Sequence, residues 1–138
     1  MIRILIADDN AATRNTARAI LEYQRDWKVC DEAVDAKQAV EKVFECGPDI
    51  VILDIEMPGR GSFLAARRIK EVSPHTRVLF WSIHDDKHWV QAALLAGASG
   101  YVAKGKTKDL LDGLDALVRN ETFFPEGSCP SGSSPHLS

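Results

Sequence analysis

The chain of 138 residues contains no apolar run long enough to cross a bilayer, and no basic start leads into a long apolar core. Neither a spanning helix nor a signal peptide is read from it. It has no marked excess of one charge. Its 17 Lys and Arg stand against 20 Asp and Glu, for a formal net charge of -3 and a pI near 5.8. That balance excludes a general binder of nucleic acid or anionic membrane. Cysteine is scarce: Cys30, Cys46 and Cys129 are odd in number and match no metal-ligand spacing. Free thiols in a reducing compartment follow, and the expected location is cytoplasmic. No internal repeat is present beyond an alternation of short elements. With 45% hydrophobic and 27% charged residues, the composition is that of one ordinary globular domain.

The most informative stretch runs from Asp49 to Gly59. Ile50-Val51-Ile52-Leu53 is a short apolar, mostly β-branched run, as expected of a strand buried on both faces. It delivers Asp54 into Ile55-Glu56-Met57-Pro58-Gly59, a turn. Other segments fall into place around it. Ile2 to Ala7 is a first buried strand, followed by Asp8-Asp9-Asn10, with Asp9 or Asn10 capping a helix from about Ala11 that turns Ala17, Ile20 and Leu21 inward. Trp27 to Ala33 is a more polar edge strand. Ala36, Ala39, Val40, Val43 and Phe44 follow the helical period, and Gly47-Pro48 ends that helix. Ser62 is the expected cap of a helix to Val72. Arg77 to Trp81 is a fourth strand ending at Ser82. Asp86 to Ala96 reads as a helix with Val90, Ala93 and Leu94 inward, and Gly100 to Ala103 is a fifth strand ending at Lys104. Thr107 or Asp109 is expected to cap a last helix with Leu110, Leu111, Leu114, Leu117 and Val118 inside. Five strand–helix alternations predict an α/β fold, a doubly wound parallel sheet with helices on both faces. The reading assigns residues 1–122 to this domain and 123–138, rich in Pro, Gly and Ser, to a flexible tail.

In such a sheet the carboxyl ends of the strands share one edge, where ligands bind. Asp8, Asp9, Asp54, Ser82 and Lys104 all fall there. Like charges 4 Å apart repel by about 4 kcal/mol at an effective dielectric near 20, so the three acids need a counter-charge. Mg²⁺ suits a site of few carboxylates, several waters and a phosphate. Lys104 offers a point charge and Ser82 a hydroxyl for the same group. Asp54 is then the candidate nucleophile of phosphoryl transfer.

Asp8-Asp9, Asp54 with Met57-Pro58-Gly59, Ser82, Tyr101 and Lys104, in that order and register, resemble the receiver domain of two-component response regulators. The stretches Val78 to Asp85 and Ala96 to Lys104 resemble the NarL/FixJ subgroup. The resemblance covers residues 1 to about 122. It implies a flavodoxin-like (βα)5 sheet with strand order 2-1-3-4-5. It further implies that Asp54 is the phosphoacceptor and Asp9 a direct Mg²⁺ ligand, with Asp8 often acting through water. The Glu56 backbone carbonyl completes the protein ligands, Ser82 and Lys104 contact the phosphoryl group, and Tyr101 is the aromatic that turns inward on activation. The implied partners are a histidine kinase or phosphotransfer protein and an output protein not named by the sequence. A homodimer through the last helix or the fourth-helix face is compatible with the pattern. The subgroup's DNA-binding helix-turn-helix is not in this chain, so no direct contact with nucleic acid and none with membrane is expected of it. A stand-alone receiver is favoured over the receiver portion of a longer NarL-type transcription regulator.

Three departures from the family pattern stand out. Arg60-Gly61-Ser62 replaces the usual acidic or amide residue followed by Gly, and Ile83 is bulkier than the common Ala or Gly. Glu56 adds a carboxylate at the mouth, expected to alter phosphoryl lifetime. Glu56 also matches the second acid of Mg²⁺-dependent aspartyl phosphatases. Those enzymes carry Thr or Val beyond that acid and a substrate cap, both missing here. A flavodoxin-type cofactor carrier ranks last, because Asp8-Asp9 would repel a phosphate there. His84 and His88 lack a third ligand and are not read as a metal site. Trp81 reads as core, Trp89 as interface or helix surface, and Cys30 and Cys46 as inert packing.

Overall fold

The computed structural model describes residues 1–24, 26–57, 61–84 and 86–125. Pro58-Gly59 of the predicted turn, Arg60 after it, and residues 126–138 of the predicted tail lie outside that set. The elements alternate as the sequence requires: β1 (Ile2–Ala7), α1 (Ala11–Glu22), β2 (Trp27–Ala33), α2 (Ala36–Cys46), β3 (Ile50–Leu53), α3 (Ser62–Val72), β4 (Arg77–Ser82), α4 (Lys87–Leu95), β5 (Gly100–Ala103) and α5 (Thr107–Val118). The sheet is parallel, in the order β2-β1-β3-β4-β5.

Because β1, β3 and β4 are central, their side chains are buried on both faces. Leu5, Val51 and Phe80 face the layer of α2, α3 and α4, whereas Ile4, Ile52 and Leu79 face α1 and α5. Register brings the strand ends level: Leu53 lies between Ala7 and Phe80, and Ser82 lies beside Ala103. The ladder continues one step past the strands, where Asp54 N–H donates to the Ala7 carbonyl (2.9 Å) and Lys104 N–H to the Ser82 carbonyl (2.7 Å). The residues that leave the strands are therefore fixed to the same edge.

Local chemistry sets the helix ends. Asn10, Asp35 and Asp86 each accept a hydrogen bond from the third helical amide, satisfying a group the helix cannot. Gly47, at φ 58, closes α2 in the left-handed conformation. At β2 a bulge leaves Cys30 between Val29, paired with Ile4, and Asp31, paired with Leu5. Cys30 packs on the core under α2, and Asp31 meets Lys42 of α2 at 3.0 Å. Burial, and then the nearby Cys46, push the Cys30 thiol up to about 11, which leaves it an unreactive packing group.

The structure departs from the sequence reading at several places. Gly61 holds the cap position of α3, while Ser62 is already helical and its buried hydroxyl finds no partner among the described residues. At α5 the cap position falls to Lys106, with Thr107 as the first helical residue and Asp109 in the first turn, where it complements the helix dipole. Phe44 is 78% exposed: it lies roughly a quarter turn round from the stripe of Ala36, Ala39 and Val43, on the flank of α2 that carries Lys37 and Val40 and away from Lys42, which pairs with β2. Val118 also faces out, and Gly113 and Ala116 complete the inner face of α5.

Phe123 and Phe124, assigned from sequence to the tail, are packed. Phe123 bridges Gly100 in parallel, taking the Tyr101 N–H on its carbonyl at 2.8 Å and donating its own N–H to Ser99 at 3.0 Å. A Cβ at Gly100 would lie 2.5 Å from Leu79 Cδ1 and 3.0 Å from the Phe123 carbonyl. Gly100→Ala is therefore expected to lower stability by about 1–3 kcal/mol, the usual cost of overpacking. Phe44→Ser should stay within about 0.5 kcal/mol of the parent, as exposed sites do. Urea denaturation of the two variants checks both.

Candidate functional site

The edge built by these strand ends holds a cavity of about 370 Å³ lined by Asp8, Asp9, Asn10, Thr13, Asp54, Glu56, Ile83 and Lys104. Its acids differ in setting. Asp8 (1% exposed) and Asp54 (6%) are buried, and Asp9 is exposed at the rim. One carboxylate oxygen from each can be chosen so that all three lie within 4.8 Å of one another. Such a donor set suits a hard divalent cation, which prefers oxygen ligands and offsets their repulsion.

Asp8 is held on every side. Its N–H donates to the Ala33 carbonyl, its Oδ1 accepts from the Asn10 amide, and its own carbonyl accepts from Arg14. Arg14 is in turn paired with Glu32 of β2 at 2.7 Å, which ties the acidic loop to the edge strand. The Lys104 ammonium reaches over from the end of β5, 2.7 Å from Asp8 Oδ2 and 3.3 Å from Asp54 Oδ1. Desolvation pushes the Asp54 carboxyl up to about 6, and the charge of Asp8 adds to it; Lys104 and the Glu56 amide pull the other way. One ammonium between two buried acids leaves the site short of positive charge.

Ser82 is fully buried, and its hydroxyl accepts the His84 N–H at 3.0 Å. The His84 carbonyl accepts the Tyr101 hydroxyl at 2.6 Å, and Tyr101 is 1% exposed. Ser82, the β4–α4 loop and Tyr101 thus form one run of hydrogen bonds, with Tyr101 already turned inward. The structure brings Asp8, Asp9, Asp54, Glu56 and Lys104 together around the cavity, and sets Ser82 and Tyr101 just behind it.

Sequence reasoning missed His84. Its ring stacks on Trp89 with centroids 4.5 Å apart, and its Nε2 lies 3.0 Å from Glu56 Oε2, off the line a hydrogen bond needs. The search for a third metal ligand hid this role, although His84 follows Ser82 by two residues as Glu56 follows Asp54. Trp89 also stacks on Phe63, so it is partly buried packing.

A doubly wound sheet of this order, with clustered acids and a lysine at its carboxyl edge, defines the class of protein. The chain belongs to the response regulator receiver domain family, whose model matches residues 4–115. It is 34% identical over 125 residues to the oxygen regulatory protein NreC of Staphylococcus carnosus, an alignment covering 89% of this chain and 58% of that protein. The chain thus spans less than two thirds of the curated relatives it matches. Among solved structures it resembles a LuxR-family two-component response regulator from Aurantimonas sp. SI85-9A1, with TM-score 0.86 and 28% identity over 99% of this chain and 98% of that one. It also resembles the isolated receiver domain of RcsB from Salmonella enterica serovar Typhimurium, determined with the phosphomimetic BeF3-, with TM-score 0.82 and 25% identity over 92% and 95%. The chain is the receiver domain of a two-component response regulator, a signalling switch. Among the described residues no helix is long and apolar enough to cross a membrane.

The raised Asp54 carboxyl has a consequence for stability. The folded protein holds this proton more tightly than an unfolded carboxyl does, so ionised Asp54 destabilises the metal-free fold. That destabilisation grows as pH rises from about 4 through about 6. In EDTA, Asp54→Asn should raise stability near about pH 7.5 by at most about 3 kcal/mol, and much less near about pH 4.5. Urea midpoints at the two pH values test this.

Proposed function

We propose that Asp54 accepts a phosphoryl group from the phosphohistidine of a kinase or phosphotransfer protein, in the cytoplasm. The observation that carries this is the Lys104 ammonium, placed within reach of Asp8 and Asp54 at the edge of a 370 Å³ cavity open to a donor. A carboxylate oxygen of Asp54 forms the new O–P bond while the P–N bond to the donor imidazole breaks, and the leaving nitrogen keeps the electron pair. Lys104 steadies the charge on the phosphoryl oxygens. Asp9, Asp54 and the Glu56 carbonyl would hold Mg²⁺, with Asp8 acting through water. When bound, that ion supplies the positive charge the acids lack and stabilises the same oxygens.

Ser82 is the reporter of the reaction. Its hydroxyl, now an acceptor from His84, is the group that turns to donate to a phosphoryl oxygen on Asp54. That rearrangement pulls on the β4–α4 loop and on the Tyr101 hydroxyl bonded to it, and so alters the face of α4, β5 and α5. The output is a protein contact at that face, in this chain or in a longer regulator that contains it. The spacing of Glu56 is that of an aspartyl phosphatase, but its carboxylate lies against the His84 ring, at 3.0 Å.

Incubation with acetyl phosphate and Mg²⁺ should add one phosphoryl mass, lost in Asp54→Asn and on chelation. An unmodified mass with Mg²⁺ present would remove the proposal. Glu56, paired with the His84 ring, and Ile83 both line the cavity through which an attacking water would reach Asp54. Glu56→Ala and His84→Ala should therefore shorten the phosphoryl lifetime by similar factors, followed by loss of the phosphorylated mass over time. An unchanged lifetime in Glu56→Ala ends that part of the account.

A further inference from the structure

Trp81 occupies the second-to-last position of β4, and the aim of its ring is more specific than core packing. The residue is 5% exposed among Ile4, Val102, Leu110 and other apolar side chains, yet its indole N–H finds no acceptor among the described residues. A buried donor without a partner destabilises a fold, and an aliphatic residue or Phe would fill this space without it. The ring does something those residues do less well or not at all. The Lys104 Nζ lies over it, 5.5 Å from the centroid. That is within cation–π range, the lysine side chain is 17% exposed, and indole is the strongest of the aromatic faces.

We infer that Trp81 is a positioning residue for Lys104: the face of its indole ring holds the ammonium at the mouth of the acidic cavity. The two acids do not define the position of Lys104 by themselves. Asp8 holds it tightly at 2.7 Å and Asp54 loosely at 3.3 Å. Once Asp54 is esterified or its acids are shared with a cation, the pull of the carboxylates on the lysine weakens. The ring does not titrate and takes no ligand, so its attraction persists through the cycle. It keeps Nζ where a phosphoryl oxygen arrives.

The test separates the ring's electrostatic face from its shape. Tryptophan with zero to four ring fluorines, inserted at residue 81 alone by codon suppression, keeps the size of the side chain while draining the negative charge from its face. In metal-free protein, the ¹⁹F resonance of a monofluorinated residue 81 should move when Lys104 is changed to Met. An unmoved resonance overturns the contact itself, whatever the protein's function. Beryllofluoride affinity in Mg²⁺ should then fall stepwise with fluorine number, by about tenfold across the series. A flat series in folded protein overturns the positioning role and leaves Trp81 as packing. This second readout rests on the phosphoacceptor reading. If the unfluorinated protein binds no beryllofluoride, that reading fails instead, and the ¹⁹F result alone decides the Trp81–Lys104 contact.

Discussion

Two buried carboxylates, Asp8 and Asp54, share one ammonium. That imbalance governs the site. At the separations involved, like charges repel by several kcal/mol even with a protein-like dielectric, and burial adds a desolvation cost to each. The chain meets part of this cost with Lys104 and part by keeping Asp54 easier to protonate than a free carboxyl. The rest is left unbalanced. A pocket in that condition favours the binding of a cation. An acyl phosphate on Asp54 would add further negative charge, so it would need that cation and Lys104 beside it.

The fold holds the arrangement against its own repulsion. Asp8 and Asp54 leave neighbouring strands whose ladder runs one bond past their ends, so neither can retreat without breaking sheet hydrogen bonds. Arg14 and Glu32 fasten the acidic loop from the side of α1 and β2. Lys104 arrives from β5 at the other side, over the Trp81 ring. Ser82 and Tyr101, the residues proposed to switch, are joined through His84, since Ser82 ends β4 and Tyr101 lies in the neighbouring β5. In the proposed mechanism, sensing and response would therefore share one short run of hydrogen bonds, with no long path through the core.

The sheet was legible because its strands are short apolar runs ending in polar residues, and this pattern has few other physical readings. Placing the strand ends on one edge then placed Asp8, Asp9, Asp54 and Lys104 without coordinates. What stayed hidden depended on side-chain direction. Phe44 fits a helical period but falls on the flank of α2, outside the stripe that meets the core. Ser62 reads as the cap in place of Gly61 because a serine before an apolar run looks like a cap even when the backbone turns one residue earlier. Trp81 reads as core and is buried, but its place under Lys104 is a fact of packing between separate strands, and the stacking of His84 on Trp89 depends on ring direction. Phe123 and Phe124 looked like tail because the local composition is polar, while the groove that accepts Phe123 is made by Gly100 and Gly113.

The central claim is that a divalent cation completes the charge balance among Asp8, Asp9 and Asp54. A Mg²⁺ titration followed by amide NMR spectra addresses it directly. The account predicts saturable shifts centred on residues 8–10, 54–56 and 104, abolished in Asp9→Asn. A spectrum in which those amides do not respond, or respond no more than surface acids such as Glu22 and Glu71, would contradict it.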